Sequence, residues 1–234
     1  MPKYALVTAG NTSEPIDSVR SITNTASGKL GSIIADAFIS KGVNVVYVCG
    51  KNSAQPSQPA VQTVTITGVA DLVQAVKSLS RSYSFDCIIH SMAVSDYTVK
   101  GIIPYDELSE AIMHSASPAI STPPGKLSSD MSNPVILLEK APKVIHEFKY
   151  LQPQALLVGF KLLVGVREKE LYSAAVNLMN KNSCDFVCAN DLNNITQNKH
   201  EALLLDKDGH YIRLFTKQEI ASAIVNSILN KWGN

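Results

Sequence analysis

The chain contains 234 residues with a formal net charge of +1, and 45% of its residues are hydrophobic and 18% charged. This is the composition of an ordinary globular protein, large enough for one large α/β domain or two small ones. A net charge this close to zero excludes a general electrostatic attraction to nucleic acid or to an anionic membrane surface. No apolar run approaches the ~18 residues that favour a membrane-spanning helix.

The N-terminus leads directly into an apolar strand, without the basic and apolar regions of a signal peptide, which predicts a cytoplasmic protein. The cysteines are too few for a disulfide framework in a chain of this length. Cys184 and Cys188 have a spacing that a zinc pair can use, but no second His or Cys pair accompanies them. We therefore predict that the four cysteines, Cys49, Cys87, Cys184 and Cys188, are buried thiols.

Short β-rich apolar runs alternate with segments of helical periodicity along most of the chain. Such alternation predicts an α/β fold, a Rossmann-like three-layer sandwich in which helices cover both faces of a mostly parallel sheet. Asp208-Gly209 predicts a C-terminal β-hairpin, and Thr216 with Glu219 forms a capping box for a last helix. The predicted strands are 4–8, 45–49, 61–65, 87–90, 135–139, 156–160, 186–189, 202–205 and 211–214, and the predicted helices are 30–40, 69–80, 143–150, 168–180 and 216–232.

One segment, residues 97–133, interrupts this alternation with several prolines and glycines and a short predicted helix at 107–114. Long connections without regular structure are commonly functional lids or disordered segments. We predict a single domain over residues 1–234, with the 97–133 segment as a flap over a site shared with a neighbouring subunit.

The loop after the first strand is rich in small and turn-forming residues and contains Gly10, Gly28 and Gly31. Its spacing matches neither the G-x-G-x-x-G dinucleotide fingerprint nor the Walker A loop. Glycines at a strand-to-helix turn nevertheless allow a ligand to approach backbone N–H groups at the helix N-terminus. The sequence therefore predicts a phosphate-binding loop of an uncommon kind.

Ligands of open α/β sheets bind outside the carboxyl ends of the strands, where four small or polar segments meet in this prediction. These segments are 10–31, 91–97, 159–161 and 189–191. Within them Asp96 either binds a ligand or caps a helix, and Asn24 either binds a ligand or stabilises a turn. On the flap, Lys126 either contacts a phosphate or is simply solvated.

The histidines of this chain give no indication of a catalytic or metal-binding role. His90 ends a buried strand and is predicted to be a core residue. His146, His200 and His210 are scattered, without a carboxylate or cysteine at metal-ligand spacing. The sequence therefore predicts no protein metal site.

Six motifs in order resemble the phosphopantothenate–cysteine ligase family, also called phosphopantothenoylcysteine synthetase. The match covers most of the chain, at residues 8–20, 24–31, 93–97, 125–129, 158–161 and 188–191. In many bacteria this domain follows a flavin-dependent decarboxylase, for which this chain has no room, so a stand-alone ligase is expected. The resemblance implies no tightly bound flavin.

The resemblance implies a two-step reaction that forms an amide bond in coenzyme A synthesis. The carboxylate of 4′-phosphopantothenate first receives a nucleotide from CTP or ATP, with Mg²⁺, and pyrophosphate is released. The amine of L-cysteine then attacks this acyl nucleotide. Members of the family are homodimers in which the flap of one subunit reaches the site of the other.

The resemblance also implies roles for particular residues. Asn24 and Lys126 would be catalytic, Asn24 against the acyl nucleotide and Lys126 on the phosphates. The substrate would contact Asn24, Ala93, Val94 and Asp96. The nucleotide would contact Gly10, Ser27, Gly28, Gly31, Asp96, Lys126, Pro142, Lys143, Val144, Ile145, Phe160, Lys181 and Asn190.

The chain departs from the family where Ala26-Ser27 replaces two serines and where Leu162-Leu163 follows Phe160-Lys161. These differences leave the choice between CTP and ATP open. A nicotinamide- or flavin-dependent oxidoreductase is the alternative enzyme, but the early glycine triplet is missing and no acidic residue ends the second strand. A nucleotide-binding module without chemistry is the third hypothesis.

Overall fold

The structure, a computed structural model, describes residues 2–121, 125–196 and 198–233. Its strands alternate with helices along the chain, as the sequence predicts. The strands are β1 (Tyr4–Ala9), β2 (Ser13–Pro15), β3 (Ser21–Thr23), β4 (Asn44–Gly50), β5 (Gln62–Ile66), β6 (Cys87–His90), β7 (Tyr97–Pro104), β8 (Pro134–Lys140), β9 (Leu156–Leu163), β10 (Phe186–Asp191), β11 (Ala202–Asp206) and β12 (Tyr211–Leu214). The helices are α1 (Lys29–Ile39), α2 (Val69–Ser82), α3 (Tyr105–Met113), α4 (Ile145–Leu151), α5 (Glu168–Asn182) and α6 (Lys217–Gly233), with a 3₁₀ turn at Leu192–Asn194.

Eight strands form the central sheet in the order β12-β11-β10-β9-β6-β1-β4-β5. The six strands from β10 to β5 are parallel, while β11 and β12 add to them as the antiparallel C-terminal hairpin. The parallel part has the strand order of a doubly wound fold, in which the connections reverse direction between β1 and β6. The predicted Rossmann-like architecture is confirmed.

Helices cover both faces of this sheet because successive strand side chains point to opposite faces. Leu6 of β1 packs in one core cluster, with Leu72 of α2 and Phe148 of α4. Ala5 and Val7, the neighbours of Leu6 on β1, pack in the second core cluster, together with the buried Phe38 of α1 and Ile224 of α6. Three layers result, with α2, α4 and α5 on one face and α1 and α6 on the other.

The predicted C-terminal hairpin and the capping box of the last helix are confirmed. At the C-terminus, Gly209 has a φ of 85° in the β11–β12 turn, and the Thr216 hydroxyl accepts a hydrogen bond from the Glu219 N–H at the start of α6.

The predicted flap contains a strand in addition to its short predicted helix at 107–114, which the structure has as α3. Residues Tyr97–Pro104 form β7, which pairs antiparallel with β8 in a separate two-stranded sheet, and α3 follows β7 directly. Strand β8 was predicted, but it lies outside the main sheet. The sequence signal of β7 was hidden because Gly101 interrupts a run rich in β-branched residues and sits at an irregularity in the pairing. Pro123 and Pro124 of the predicted flap lie outside the described residues.

Within the described ranges, no helix is both long and apolar enough to cross a membrane.

Candidate active site at the switch point of the sheet

The loops that leave β1 and β6 are joined by hydrogen bonds where the sheet connections reverse. The Ala93 N–H donates to the Gly10 carbonyl at 2.8 Å, and the Thr12 N–H donates to the Ala93 carbonyl at 3.1 Å. The side chain of Thr12 adds a bond, since its Oγ1 accepts from the Ser95 N–H at 2.9 Å. Two of the predicted ligand-binding loops therefore meet in one crevice at the carboxyl end of the sheet.

Glycine is required in this crevice by close packing of the chain against itself. Gly10 and Gly28 have φ values of 79° and 74°, and a Cβ on Gly28 would lie 3.0 Å from the Gly10 nitrogen. A Cβ on Gly31 would lie 2.4 Å from the Cβ of Ala9. The glycines thus bring α1 onto the end of β1, where Gly10 is buried and Gly28 is partly exposed.

Asn24 lies at the mouth of this crevice. It is exposed, follows directly on β3, and its Nδ2 donates to the Ala93 carbonyl at 3.4 Å. Ser27 is also exposed, and its carbonyl accepts from the Ala54 N–H at 2.9 Å. Asn24 and Ala93 are therefore in contact, next to the turn formed by Gly10 and Gly28.

Sequence reasoning did not select Ser53, which packs into the same turn. Its Oγ occupies the space directly beside Gly10, 1.7 Å from the position that a Gly10 Cβ would take. This hydroxyl is buried and has no hydrogen-bond partner among the described residues. The only available signal was a small residue soon after Gly50, which ends β4.

Asp96 does not cap a helix. Its carboxylate forms an ion pair with the ammonium of Lys143, and both side chains are more than half exposed. The Ala141 N–H donates to the Asp96 carbonyl at 2.9 Å, which ties the two loops together. Two residues assigned to different motifs therefore form one charged pair beside the crevice.

The residues around this pair divide between surface and core. Pro142 is exposed, whereas Val144 is 2% exposed and packs in the core beneath α4. Val94 is half-buried against the same core cluster, and so is Ile145, the first residue of α4. The side chain of Val144 therefore serves packing.

Lys126 is exposed, whereas the next residue, Leu127, is buried. Two hydrogen bonds hold Leu127 to the turn between β2 and β3. Its N–H donates to Asp17 and its carbonyl accepts from Arg20. The segment that carries Lys126 thus rests on the hairpin that ends one residue before Asn24.

Phe160 and Asn190 lie on neighbouring strands farther along the sheet. Phe160 of β9 packs against the core cluster of α1 and α6. Asn190 near the end of β10 is buried, and its Nδ2 lies 3.3 Å from Nε2 of His200. Strand β10 is three strands away from β1, or ~14 Å at the usual spacing. Phe160 and Asn190 therefore lie outside the glycine turn, on the two strands that follow β6 in the sheet.

The structure does not bring Lys181 to the crevice. It lies in the last turn of α5, just before the amino end of β10, and therefore at the opposite edge of the sheet from Gly10. There it lines an open depression with His146, Lys149, Asn182 and Ser183. A helix between two parallel strands ends at the amino end of the second strand, which fixes this position.

His90 is a core residue, as predicted. It is buried, its Nδ1 lies 2.7 Å from Oγ1 of Thr8, and its ring packs against the edge of Phe148. Burial lowers the pKa of His90 to about 4, because the charged imidazole would lose its hydration. The four cysteines are buried and free, and burial raises the pKa of Cys188 to about 12.

The scattered histidines require one correction. His210 lies close to Asp206 and Asp208 at the β11–β12 turn, within the distance of a metal site, although no carboxylate partner was predicted for it. The Oδ1 atom of Asp206 accepts hydrogen bonds from the N–H groups of Asp208 and His210. These hydrogen bonds stabilise the hairpin turn and explain why the three side chains lie close together.

A second cleft lies at the outer strands of the sheet. It has a volume of about 80 Å³ and is lined by residues that include Asp191, Arg213 and Phe215. Pockets for substrates of nucleotide size usually measure ~300–1,000 Å³. The candidate active site is the crevice at the switch point, because the loops after β1 and β6 meet there at the carboxyl end of the sheet.

The fold and the crevice define a class of protein, the doubly wound α/β proteins that bind a ligand at the switch point of the sheet. The model of the DNA/pantothenate metabolism flavoprotein C-terminal domain matches residues 2–104 and 119–231. The chain belongs to this family, whose domain is the phosphopantothenoylcysteine synthetase domain of CoaBC proteins.

Individual relatives agree with this assignment. The coenzyme A biosynthesis bifunctional protein CoaBC of Thermococcus kodakarensis is 33% identical over 97% of this chain and 51% of its own length. The chain spans about half the length of the curated relatives that it matches most strongly. The crystal structure of the DNA/pantothenate metabolism flavoprotein from Streptococcus pneumoniae is 35% identical, covers 99% of this chain and 100% of its own, and has a TM-score of 0.87. The C-terminal domain of a CoaBC is 26% identical, covers 97% of this chain and 93% of its own, and has a TM-score of 0.69.

The oxidoreductase hypothesis is not favoured by these relatives. The second parallel strand in the sequence, β4, ends at Gly50 and is followed by Lys51, where a dinucleotide-binding protein has an acidic residue for the ribose. The crevice also lacks the early glycine triplet of that class.

Proposed function

We propose that this chain is a phosphopantothenate–cysteine ligase of coenzyme A biosynthesis. In the first step the carboxylate of 4′-phosphopantothenate attacks the α-phosphorus of a nucleoside triphosphate, CTP or ATP, and pyrophosphate leaves. In the second step the amine of L-cysteine attacks the acyl carbon, and the nucleoside monophosphate leaves as the amide forms.

The observation that carries this proposal is the junction of the two loops at Ala93. It brings Asn24, the glycine turn and the Asp96 segment into one crevice, in a chain that matches the family over nearly its whole length. Acyl activation requires two anions to be held together in a defined orientation. Such orientation supplies roughly 7–11 kcal/mol of the barrier reduction in favourable cases.

The residues of the crevice have separate parts in this proposal. The backbone at Gly10 and Gly28 faces the phosphates, and Lys126 from the flap offsets their charge. Asn24 holds the acyl nucleotide, and Asp96 binds substrate or nucleotide after its pairing with Lys143 is exchanged for the ligand. Phe160 and Asn190 contact the nucleotide from the neighbouring strands, and Lys181 has no part within one subunit.

Mg²⁺ accompanies the nucleotide in this proposal, and when bound it offsets the charge of the triphosphate. The described donors in the glycine turn are backbone groups and hydroxyls, which suit phosphate oxygens better than a metal ion. The metal would therefore be held mainly by the substrate phosphates.

A homodimer is the proposed assembly. The face of β8 that carries Ile136 and Leu138 is exposed, at 36% and 47%, and Tyr97 of β7 is 50% exposed. Apolar side chains along a two-stranded sheet are suited to pairing with a second copy. Such a pairing would bring β7, the first part of the flap, near the crevice of the other subunit, while Lys126 stays against the hairpin of its own subunit.

The test of the proposed function is pyrophosphate release by the purified protein with Mg²⁺ and 4′-phosphopantothenate, with CTP or ATP, and with or without cysteine. We expect release that depends on phosphopantothenate, and amide product once cysteine is added. Comparison of the two nucleotides then identifies the donor. Absence of release with both nucleotides contradicts the proposal.

A further inference from the structure

Asp17 is a buried carboxylate in the turn between β2 and β3. Its side chain is fully buried, and its Oδ1 accepts from the N–H groups of Val19 and Arg20 at 2.8 and 2.7 Å. These two bonds are local and form the turn itself, as aspartate often does. They use one of its two oxygens.

The other oxygen of Asp17 binds a distant part of the chain. Oδ2 accepts from the N–H of Leu127, 110 residues away, at 3.0 Å, and the Arg20 Nε lies 3.5 Å from the same oxygen. Arg20 completes a ring of contacts, because its Nη2 donates to the Leu127 carbonyl at 3.2 Å. The peptide groups on both sides of the Leu127 Cα are thus held by one ion pair.

The electrostatics favour an ionised Asp17. Donation from the Leu127 N–H, followed by the turn N–H groups, lowers the pKa of Asp17 below its usual range. Charge-assisted bonds to a carboxylate are roughly twice as strong as neutral ones. The buried Leu127 side chain, which is 6% exposed, adds packing to the same anchor.

The residue next to this anchor is Lys126, and the hairpin that carries Asp17 ends one residue before Asn24. We propose that Asp17 is a positioning residue that fixes Lys126 relative to Asn24 by binding the Leu127 peptide group. This inference rests on the proposed function, because it assigns Asp17 to the activation step through Lys126. Asp17 does not itself touch substrate.

The first test is Asp17→Asn, which keeps an oxygen for the turn but presents an NH₂ group to the Leu127 N–H. We expect single-turnover formation of the acyl nucleotide to slow at least tenfold, while reaction of the preformed acyl nucleotide with cysteine is unchanged. In a Lys126→Ala background, Asp17→Asn should cause no further slowing. The matched control is Asp130→Asn, an exposed aspartate on the same segment whose contacts are confined to Ser128 among the described residues.

A second variant breaks the same bond from the other side. Leu127→Pro removes the donor and leaves Asp17 in place, and Leu127→Ala is its control because it truncates the side chain but keeps the N–H. We expect Leu127→Pro to slow activation as much as Asp17→Asn, and the two changes together to be no worse than either alone.

Hydrogen exchange gives a readout that is independent of activity. The Leu127 amide should be protected in the unmodified protein and should exchange at least tenfold faster in Asp17→Asn. Equal slowing of activation by Asp17→Asn with and without Lys126, equal slowing of both chemical steps, or unchanged exchange at Leu127 would each overturn the inference. If the unmodified protein releases no pyrophosphate, the proposed function fails, and the exchange measurement still decides whether Asp17 holds this segment.

Discussion

Gly31 lies in the first turn of α1, where the helix crosses the end of β1. The position would favour alanine on helix propensity alone, by about 1 kcal/mol. However, an added Cβ would meet the Ala9 Cβ at 2.4 Å and the Ser91 Oγ at 2.7 Å. Ala9 belongs to the central strand and has no flexible end that can move aside, so the steric conflict outweighs the propensity.

We therefore expect Gly31→Ala to lower the free energy of unfolding by roughly 1–3 kcal/mol. Urea denaturation monitored by circular dichroism measures this change. Gly125→Ala is the matched control, since its added Cβ would meet nothing within 4 Å. An unchanged stability of Gly31→Ala would mean that α1 shifts freely against β1.

Asn24 bonds to the Ala93 carbonyl through a long contact of 3.4 Å, which a ligand can replace at little cost. Its side chain is exposed and contributes little to the core. Its proposed part is therefore chemical rather than structural.

We expect Asn24→Ala to release pyrophosphate in a single turnover at close to the normal rate, but to convert the acyl nucleotide to amide at least tenfold more slowly. Rapid-quench detection of the intermediate measures both steps. Thr23→Ala, at the end of the same hairpin, removes a hydroxyl that bonds to Asn11 and Thr12 and therefore controls for damage to the local turn. Normal formation of amide by Asn24→Ala would exclude this role.

The N-cap residue of α2, Gly68, has no side chain that could accept from the first N–H groups of the helix, while Asp71 of the first turn accepts from the Gly68 N–H. Glu14 of β2 supplies the missing acceptor, and its Oε1 receives the Val69 N–H at 3.0 Å. Burial raises the pKa of Glu14, because the charged carboxylate loses hydration in the folded protein. One element thus caps another that is 55 residues away.

Two substitutions separate the hydrogen bond from the charge at this position. Glu14→Gln keeps an acceptor without the charge, and we expect it to be as stable as the unmodified protein or slightly more stable at pH 7.5. Glu14→Ala leaves the Val69 N–H unpaired and should cost about 1–3 kcal/mol of unfolding free energy. Thermal and urea unfolding test this order, and a loss with Gln as large as with Ala would contradict it.

The stability of the whole protein should depend on pH through its buried histidines. Burial lowers the pKa values of His90 and His200 to about 4 in the folded state. In the unfolded chain these histidines titrate near 6.5, so the unfolded state takes up protons first as the pH falls. Their contribution to stability is therefore complete above about pH 6.5 and decreases from there towards pH 4.

For His90 this linkage amounts to a loss of about 2 kcal/mol between pH 7.5 and pH 5. The raised pKa of Glu14 makes the folded protein more stable, not less, as the pH falls. This effect is the same in the unmodified protein and in His90→Gln, so it cancels in the comparison. We expect His90→Gln to reduce the pH dependence of the unfolding free energy over this interval. Urea titrations at the two pH values provide the measurement, and an equal pH dependence in both proteins would exclude His90 as its source.

Assembly is the other property of the whole molecule that can be tested. Leu138 is 47% exposed on β8, and a charge at this position should weaken pairing between two copies. We expect the unmodified protein to sediment as a dimer and Leu138→Lys to shift towards the monomer without unfolding. Glu139→Gln, which makes the same +1 change in charge at the neighbouring position, is the control. A monomeric unmodified protein would contradict the proposed assembly.

Periodicity was sufficient to predict most of the elements. Strands β6 and β12 have the predicted bounds, and the other main-sheet strands differ by a few residues at their ends. Strand β7 was missed because its pairing with β8 tolerates the glycine that interrupted the local pattern. The place of β8 outside the main sheet depends on this same partner, so no local signal could predict it.

The candidate site was predictable in part. The order of the elements along the chain and the switch-point rule were enough to predict that the loops after β1 and β6 meet, since both loops follow parallel strands. Ser53 was not predicted, because its importance comes only from its position beside Gly10. Lys181 was assigned to the site by the family resemblance alone, and the direction of α5 places it at the other edge of the sheet.

The sequence by itself therefore determined the fold class, the burial of His90 and of the cysteines, and the loops from which the crevice is built. These properties follow from hydrophobic periodicity and from turn residues, which act within a few positions of the chain. Only the tertiary structure decided that Gly31 must accommodate Ala9, that Glu14 caps α2 and that Asp17 holds Leu127. Each of these contacts joins residues that are separated by 22 to 110 positions, and chain folding rather than local pattern brings such residues within reach of a hydrogen bond or a steric contact.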